Sequence, residues 1–155
     1  MDKTVTAKGD NTMRARKINT KAAKTLARLT RELGDDNRAR KIGSDDGGYM
    51  PVHVDYLQTA EGGAIYSVAH YYRKNGDSMP DPDMTFYHRD EDDAWFPLTW
   101  QTGGRRDEAM WHNGEGWQFR PALQRSITTF AGSWMANIKT QQAEYFRPMR
   151  RGATG

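Results

Sequence analysis

The spacing of hydrophobic positions changes twice along the chain. Over residues 20–33, Ala22, Leu26, Leu29 and Leu33 recur three or four residues apart, which puts them on one face of a helix. Thr20 can cap its start, and Gly34 follows as a stop. Residues 35–48 are polar and glycine-rich, the composition of a linker. From residue 51 the period becomes two. Val52, Val54 and Tyr56 alternate with His53 and Asp55 over 51–58, and residues 60–63 read as a hairpin turn. Tyr66, Val68, His70 and Tyr72 then share one face over 64–73. Further strands are predicted over 84–88, over 94–100 with Trp95, Phe96, Leu98 and Trp100, over 107–112, and at Trp117 and Phe119. Gly103-Gly104 and Asn113-Gly114 supply the turns. After Pro121 the helical period returns, with Leu123, Ile127, Phe130, Trp134 and Ile138, and runs to about Phe146 before Pro148. This pattern predicts an α+β fold. An antiparallel meander of about five to six strands carries a long C-terminal helix on one face, beside a short basic N-terminal helix.

Charge divides the same 155 residues differently. Residues 1–42 hold 12 Lys/Arg and 5 Asp/Glu, residues 43–144 hold 8 and 15, and residues 145–155 add three arginines. All 17 aromatic residues lie at or after Tyr49. A core needs large apolar groups, so the folded body is expected to begin near residue 45. The expected organisation is a disordered basic arm over 1–17, an amphipathic basic helix and linker over 18–47, a single α+β domain over 48–147 and a basic tail over 148–155. Residues 1–17 are accordingly expected to be dispensable for stability. Arg14, Arg16, Lys17, Lys21, Lys24, Arg28 and Arg31 form the candidate nucleic-acid-binding set, since cations that neutralise phosphates release counterions. The competing reading is a solvated face. No run reaches the roughly 18 apolar residues of a spanning helix, and no secretory apolar region opens the chain, so a cytoplasmic protein without a membrane partner is expected.

The absence of cysteine excludes disulfides, zinc-thiolate sites, iron–sulfur clusters and cysteine nucleophiles. The densest polar stretch is 70–86, where His70, Asp77, Asp81 and Asp83 could converge on a cation as a metal-dependent enzyme would need. Asn75-Gly76, the prolines and locally bonded aspartates equally describe a rigid turn, and this reading is preferred. His53, His70, His88 and His112 include no HExxH pattern. The string PDPD is followed by no lysine of a PD-(D/E)xK nuclease, and neither a glycine-rich phosphate loop nor a GxSxG elbow is present. No catalytic residue, metal or cofactor is therefore assigned. The acidic run Asp90–Asp93 reads as a solvated loop, or else as a patch that imitates phosphates. Tyr66, Tyr72, Trp95, Trp100, Trp111 and Trp117 could stack bases, but their alternation fits a core.

Four strings together carry a resemblance: GYMPVHVDYL at 48–57, IYSVAHYYRKNGDSMPDPDMTF at 65–86, AWFPLTW at 94–100 and FAGSWMANIKTQ at 130–141. They resemble a domain-of-unknown-function family of small proteins borne on bacterial plasmids, integrative elements and phages, with an SVAHYYxxNGDxMxDPDMxF signature. Arg73-Lys74 stands where that family usually has Glu-Gln, and Phe96-Pro97 where it has Tyr-Pro. The matched signature positions are His70, Asn75, Gly76, Asp77, Asp81, Pro82, Asp83 and Phe86. The resemblance covers about residues 48–142 and implies a setting rather than an activity: a cytoplasmic accessory protein of a mobile element. The function expected from it is non-enzymatic binding to a host or element protein or nucleoprotein complex, in the manner of an anti-defence, anti-CRISPR-like inhibitor. The alternatives are sequence-independent nucleic-acid binding by the basic helix, and a metal-dependent enzyme at His70, Asp77, Asp81 and Asp83.

Overall fold

The structure, a computed structural model, describes residues 15–148 and the backbone of residues 5–7. The first helix, α1 (Thr20–Thr30), is capped by Asn19 rather than Thr20. The Asn19 Oδ1 accepts from the Ala22 N–H at 2.9 Å. Ala22, Leu26 and Leu29 point into the core as their spacing requires, and Leu26 and Leu29 are fully buried. The helix ends at Thr30, short of the expected residue 33. The Arg40 guanidinium reaches back to the Leu29 and Arg31 carbonyls at 2.6 Å each and satisfies that end.

A six-stranded antiparallel meander follows in chain order: β2 (Ala39–Ile42), β3 (Val52–Ala60), β4 (Gly63–Lys74), β5 (Asp77–Arg89), β6 (Ala94–Thr102) and β7 (Arg105–Glu108). The dense polar stretch is mostly strand. Only Asn75 and Gly76 turn, both at positive φ (51° and 86°), where Asn and Gly are the tolerant residues. The prolines fit because β5 pairs with β6 only from Asp83 onward. Pro80 and Pro82 therefore lie where one side of the strand has no ladder to break, and Pro82 sits at a bulge.

The three-stranded sheet is β1 (Val5–Ala7), β9 (Trp117–Phe119) and β8 (Met110–His112), in that spatial order. It covers one face of the meander around Tyr87, Phe96, Leu98, Met110, Trp117 and Phe119. The helices cover the other face, where α2 (Pro121–Gln141) and α1 enclose Val52, Val54, Val68, Met84, Phe86 and Trp95. The strand expected over 107–112 is thus two strands that serve different sheets. In α2 the buried line is Gln124, Ile127, Ala131, Trp134, Met135 and Ile138. Phe130 is displaced to the rim, and residues 142–147 turn instead of extending the helix.

Two boundary expectations need correction. Residues 18–47 are no appendage: Ile18 and the leucines of α1 share the core of α2, and part of the expected linker is edge strand β2, paired with β3. An aliphatic stripe is enough to join a core, so the first aromatic residue does not mark its start. Within the arm over 1–17, residues 5–7 pair with β9 and Ala15 is buried. The rest of that arm before residue 15, Arg14 included, lies outside the described residues, as do residues 149–155 of the tail.

Candidate nucleic-acid interface

The signature residues do not meet. His70 faces the helices: its Nδ1 accepts from the Trp134 indole N–H at 3.3 Å, and the two rings meet edge to face. His70 Nε2 is buried without a partner. Asp83 pairs with Ala69, so it projects from the opposite face of the sheet, and Tyr71 Oη contacts it at 3.5 Å. Asp77 stands at the hairpin tip and Asp81 is exposed, while Pro82 and Phe86 are buried. Among the described residues no three His, Asp or Glu side chains are placed to hold a metal ion. Burial raises the Asp83 carboxyl above its ordinary value, the Tyr71 hydroxyl opposes this, and Asp55 adds to it.

Burial also lowers the His70 imidazole below its ordinary 6.5, against the pull of Asp81. The folded state therefore keeps His70 neutral while the unfolded chain takes up the proton. Its contribution to stability is full above pH 6.5 and is lost as the pH falls from there toward the folded value. The slope in that window is about 1.4 kcal/mol per pH unit. Denaturant titrations on either side of pH 6.5 should show this loss in the parent and not in His70→Phe. Equal slopes would assign it to other groups.

The cations are better gathered. Residues 15–31 carry Arg16, Lys17, Lys21, Lys24, Arg28 and Arg31 with no carboxylate, and α2 carries Arg125 and Lys139 with none. Every charged side chain of the helical layer is thus positive, while the carboxylates lie in strands and loops. Arg16 is fixed against α2 because the buried Gln124 amide brackets its backbone. The Arg16 N–H donates to Oε1 at 2.7 Å, and Nε2 donates to the Arg16 carbonyl at 2.6 Å. Asn19 packs where a side chain at Gly132 would otherwise stand, so the segment approaches α2 closely. The result is a groove of about 560 Å³ lined by Arg16, Lys17, Arg125, Thr128, Thr129 and Ser133.

Arg16, Lys21, Lys24, Arg31 and Arg125 make no ion pair among the described residues. Arg28 departs from the expected set: its guanidinium donates to the Tyr145 and Arg147 carbonyls and lies over the Tyr145 ring. It pins the chain after α2 and is withdrawn from the cationic stripe. Sequence reasoning missed Arg125, although the lack of any Asp or Glu over 121–141 was a visible signal.

The acidic run is a loop tied to its own hairpin. Arg89 holds Asp92 with two bonds, at 2.9 and 2.7 Å, and its guanidinium lowers that carboxyl to about 2. His88 pairs with Asp93 at 3.1 Å. Trp95 and Trp117 are core residues, as alternation suggested, and Tyr72 is exposed. A cleft of about 420 Å³ between the sheets holds the His112–Glu61 pair, 2.8 Å apart, which spacing alone did not reveal. No helix is long and apolar enough to cross a membrane among the described residues. A family model described as Domain of unknown function (DUF6908) matches residues 24–144, which takes in most of α1 as well as the meander and α2. No curated protein and no solved structure matches the chain.

Proposed function

We propose, from the premise that the chain belongs to the domain-of-unknown-function family DUF6908, that it is a non-enzymatic cytoplasmic accessory protein that grips the phosphate backbone of nucleic acid, free or within a host or element nucleoprotein complex. One observation carries this reading: two adjacent helices without a single carboxylate, beside a groove that the segment before α1 forms with α2 and that Arg16, Lys17 and Arg125 line. Their unpaired cations can exchange counterions for phosphates, and the Ser133 hydroxyl can donate to a phosphate oxygen, whereas those of Thr128 and Thr129 are given to the Gln124 and Arg125 carbonyls. No motif for reading base edges in a duplex accompanies them, so duplex binding is sequence-independent. The mobile-element setting implied by the sequence strings fits such a role, with an anti-defence inhibitor as its sharper form.

The expected affinity for a short labelled duplex is around micromolar or weaker at physiological salt. It should fall steeply between about 50 and 200 mM salt. Replacing Lys17, Lys21, Lys24 and Arg125 by Gln should flatten the salt slope by about three to four units. Arg28→Gln should leave that slope unchanged, because its guanidinium is bonded inside the fold. Fluorescence anisotropy reads both. A parent protein that binds no duplex at about 50 mM salt defeats the proposal.

A further inference from the structure

We propose that the cleft between α1 and the β5–β6 turn receives one unstacked nucleobase of a single-stranded nucleic acid, while Lys17, Lys21 and Lys24 hold the adjoining phosphates. This rests on the nucleic-acid reading above and narrows it to a strand type. The cleft measures about 450 Å³. Thr20, Ala23, Lys24 and Ala27 recur at helical spacing along one side of α1 and line it. The small side chains of Ala23 and Ala27 leave the space that larger residues would fill. The facing wall is a pair of rings: His88 lies 4.5 Å from the buried Trp95, tilted by 33°. His88 is held there by Asp93 at 3.1 Å and Asp90 at 3.7 Å.

The lining sorts ligands by chemistry. A phosphate alone uses none of the apolar space and meets Asp92 and Asp93 in the same wall. A duplex keeps its bases stacked and cannot place one there. A single strand can put a base between Ala27 and the imidazole, with its phosphates toward the lysines. Arg89 holds both oxygens of Asp92, whereas Asp93 bonds His88 through Oδ1 alone, so Asp93 Oδ2 is the acceptor for a base edge. A carboxylate accepts from an exocyclic amino group such as cytosine N4, whereas thymine offers a carbonyl at that position.

Full-length protein is titrated, by fluorescence anisotropy at one salt concentration, with labelled oligo(dC), oligo(dT) and a duplex of equal length. Oligo(dC) is expected to bind roughly tenfold tighter than the duplex. Ala27→Phe fills the cleft without changing charge, so it should remove that excess. Its duplex affinity should stay within about twofold of the parent, as expected for sequence-independent phosphate contacts. Asp93→Asn should bring oligo(dC) down to oligo(dT); Asp93 has φ 57°, which asparagine tolerates. The inference is overturned if Ala27→Phe binds oligo(dC) as tightly as the parent while duplex binding is intact. Should Ala27→Phe lose duplex binding too, Ala27→Leu is read by the same criterion. A parent that binds neither strand nor duplex defeats the nucleic-acid reading itself.

Discussion

Trp134→Ala should lower the unfolding free energy by about 3–5 kcal/mol, the range for truncating a large buried aromatic. Trp134 is 5% exposed in the middle of α2, packed on Phe130 and edge-on to His70. Its removal opens a cavity between helix and sheet, and also takes away the indole N–H that satisfies His70 Nδ1. Trp134→Phe keeps most of the volume and loses that bond, so it should fall well short of the alanine variant. Denaturant unfolding followed by far-UV circular dichroism measures both. A change below about 1 kcal/mol for Trp134→Ala would mean that the site collapses around the loss, and that α2 is not the main cover of the sheet.

Removing residues 1–17 should be comparably damaging, contrary to what the aromatic boundary suggests. The deletion strips β1 from β9 and removes Ala15 from the second core. It also leaves the Gln124 side chain, 1% exposed, without either of its bonds to Arg16. Each of these hydrogen bonds is worth about 0.5–1.5 kcal/mol net, so the amide accounts for about 1–3 kcal/mol and the lost strand and Ala15 packing for the rest. Thermal melts of the truncated and full chains decide the matter, and coincident melts would contradict it. Gln124→Leu in the full chain separates the amide from the strand, because it keeps β1 and Ala15 in place and takes away only the partner of the Arg16 N–H and carbonyl.

The elements that strong local chemistry specifies were legible in the sequence. Asn75-Gly76 turns the β4–β5 hairpin at positive φ, and alternation from Val52 to Tyr56 buries those residues against the helices. Pro121 opens α2 as its position suggested. Other features depend on partners far along the chain. Pro80 and Pro82 argue against a strand unless β5 is seen to lack β6 on that side, which is a fact of register. Gln124 looks like a surface residue of an amphipathic helix until Arg16 arrives to bond it. The cationic face was half legible. Lys21 and Lys24 follow from helical spacing, but the retreat of Arg28 to Tyr145 and the arrival of Arg125 beside Arg16 follow only from how α1 lies on α2.

The bracket between Arg16 and Gln124 joins residues 108 positions apart, and the Tyr145 hydroxyl closes on the Arg28 carbonyl across 117. The first and last quarters of the chain therefore complete each other. During synthesis the hairpins from β3 to β6 can pair as soon as they emerge, since their contacts are local. Their apolar face then waits uncovered until α2 has left the ribosome, and α1, although made first, has no helix to dock against before that. The nascent chain is most exposed to aggregation in that interval.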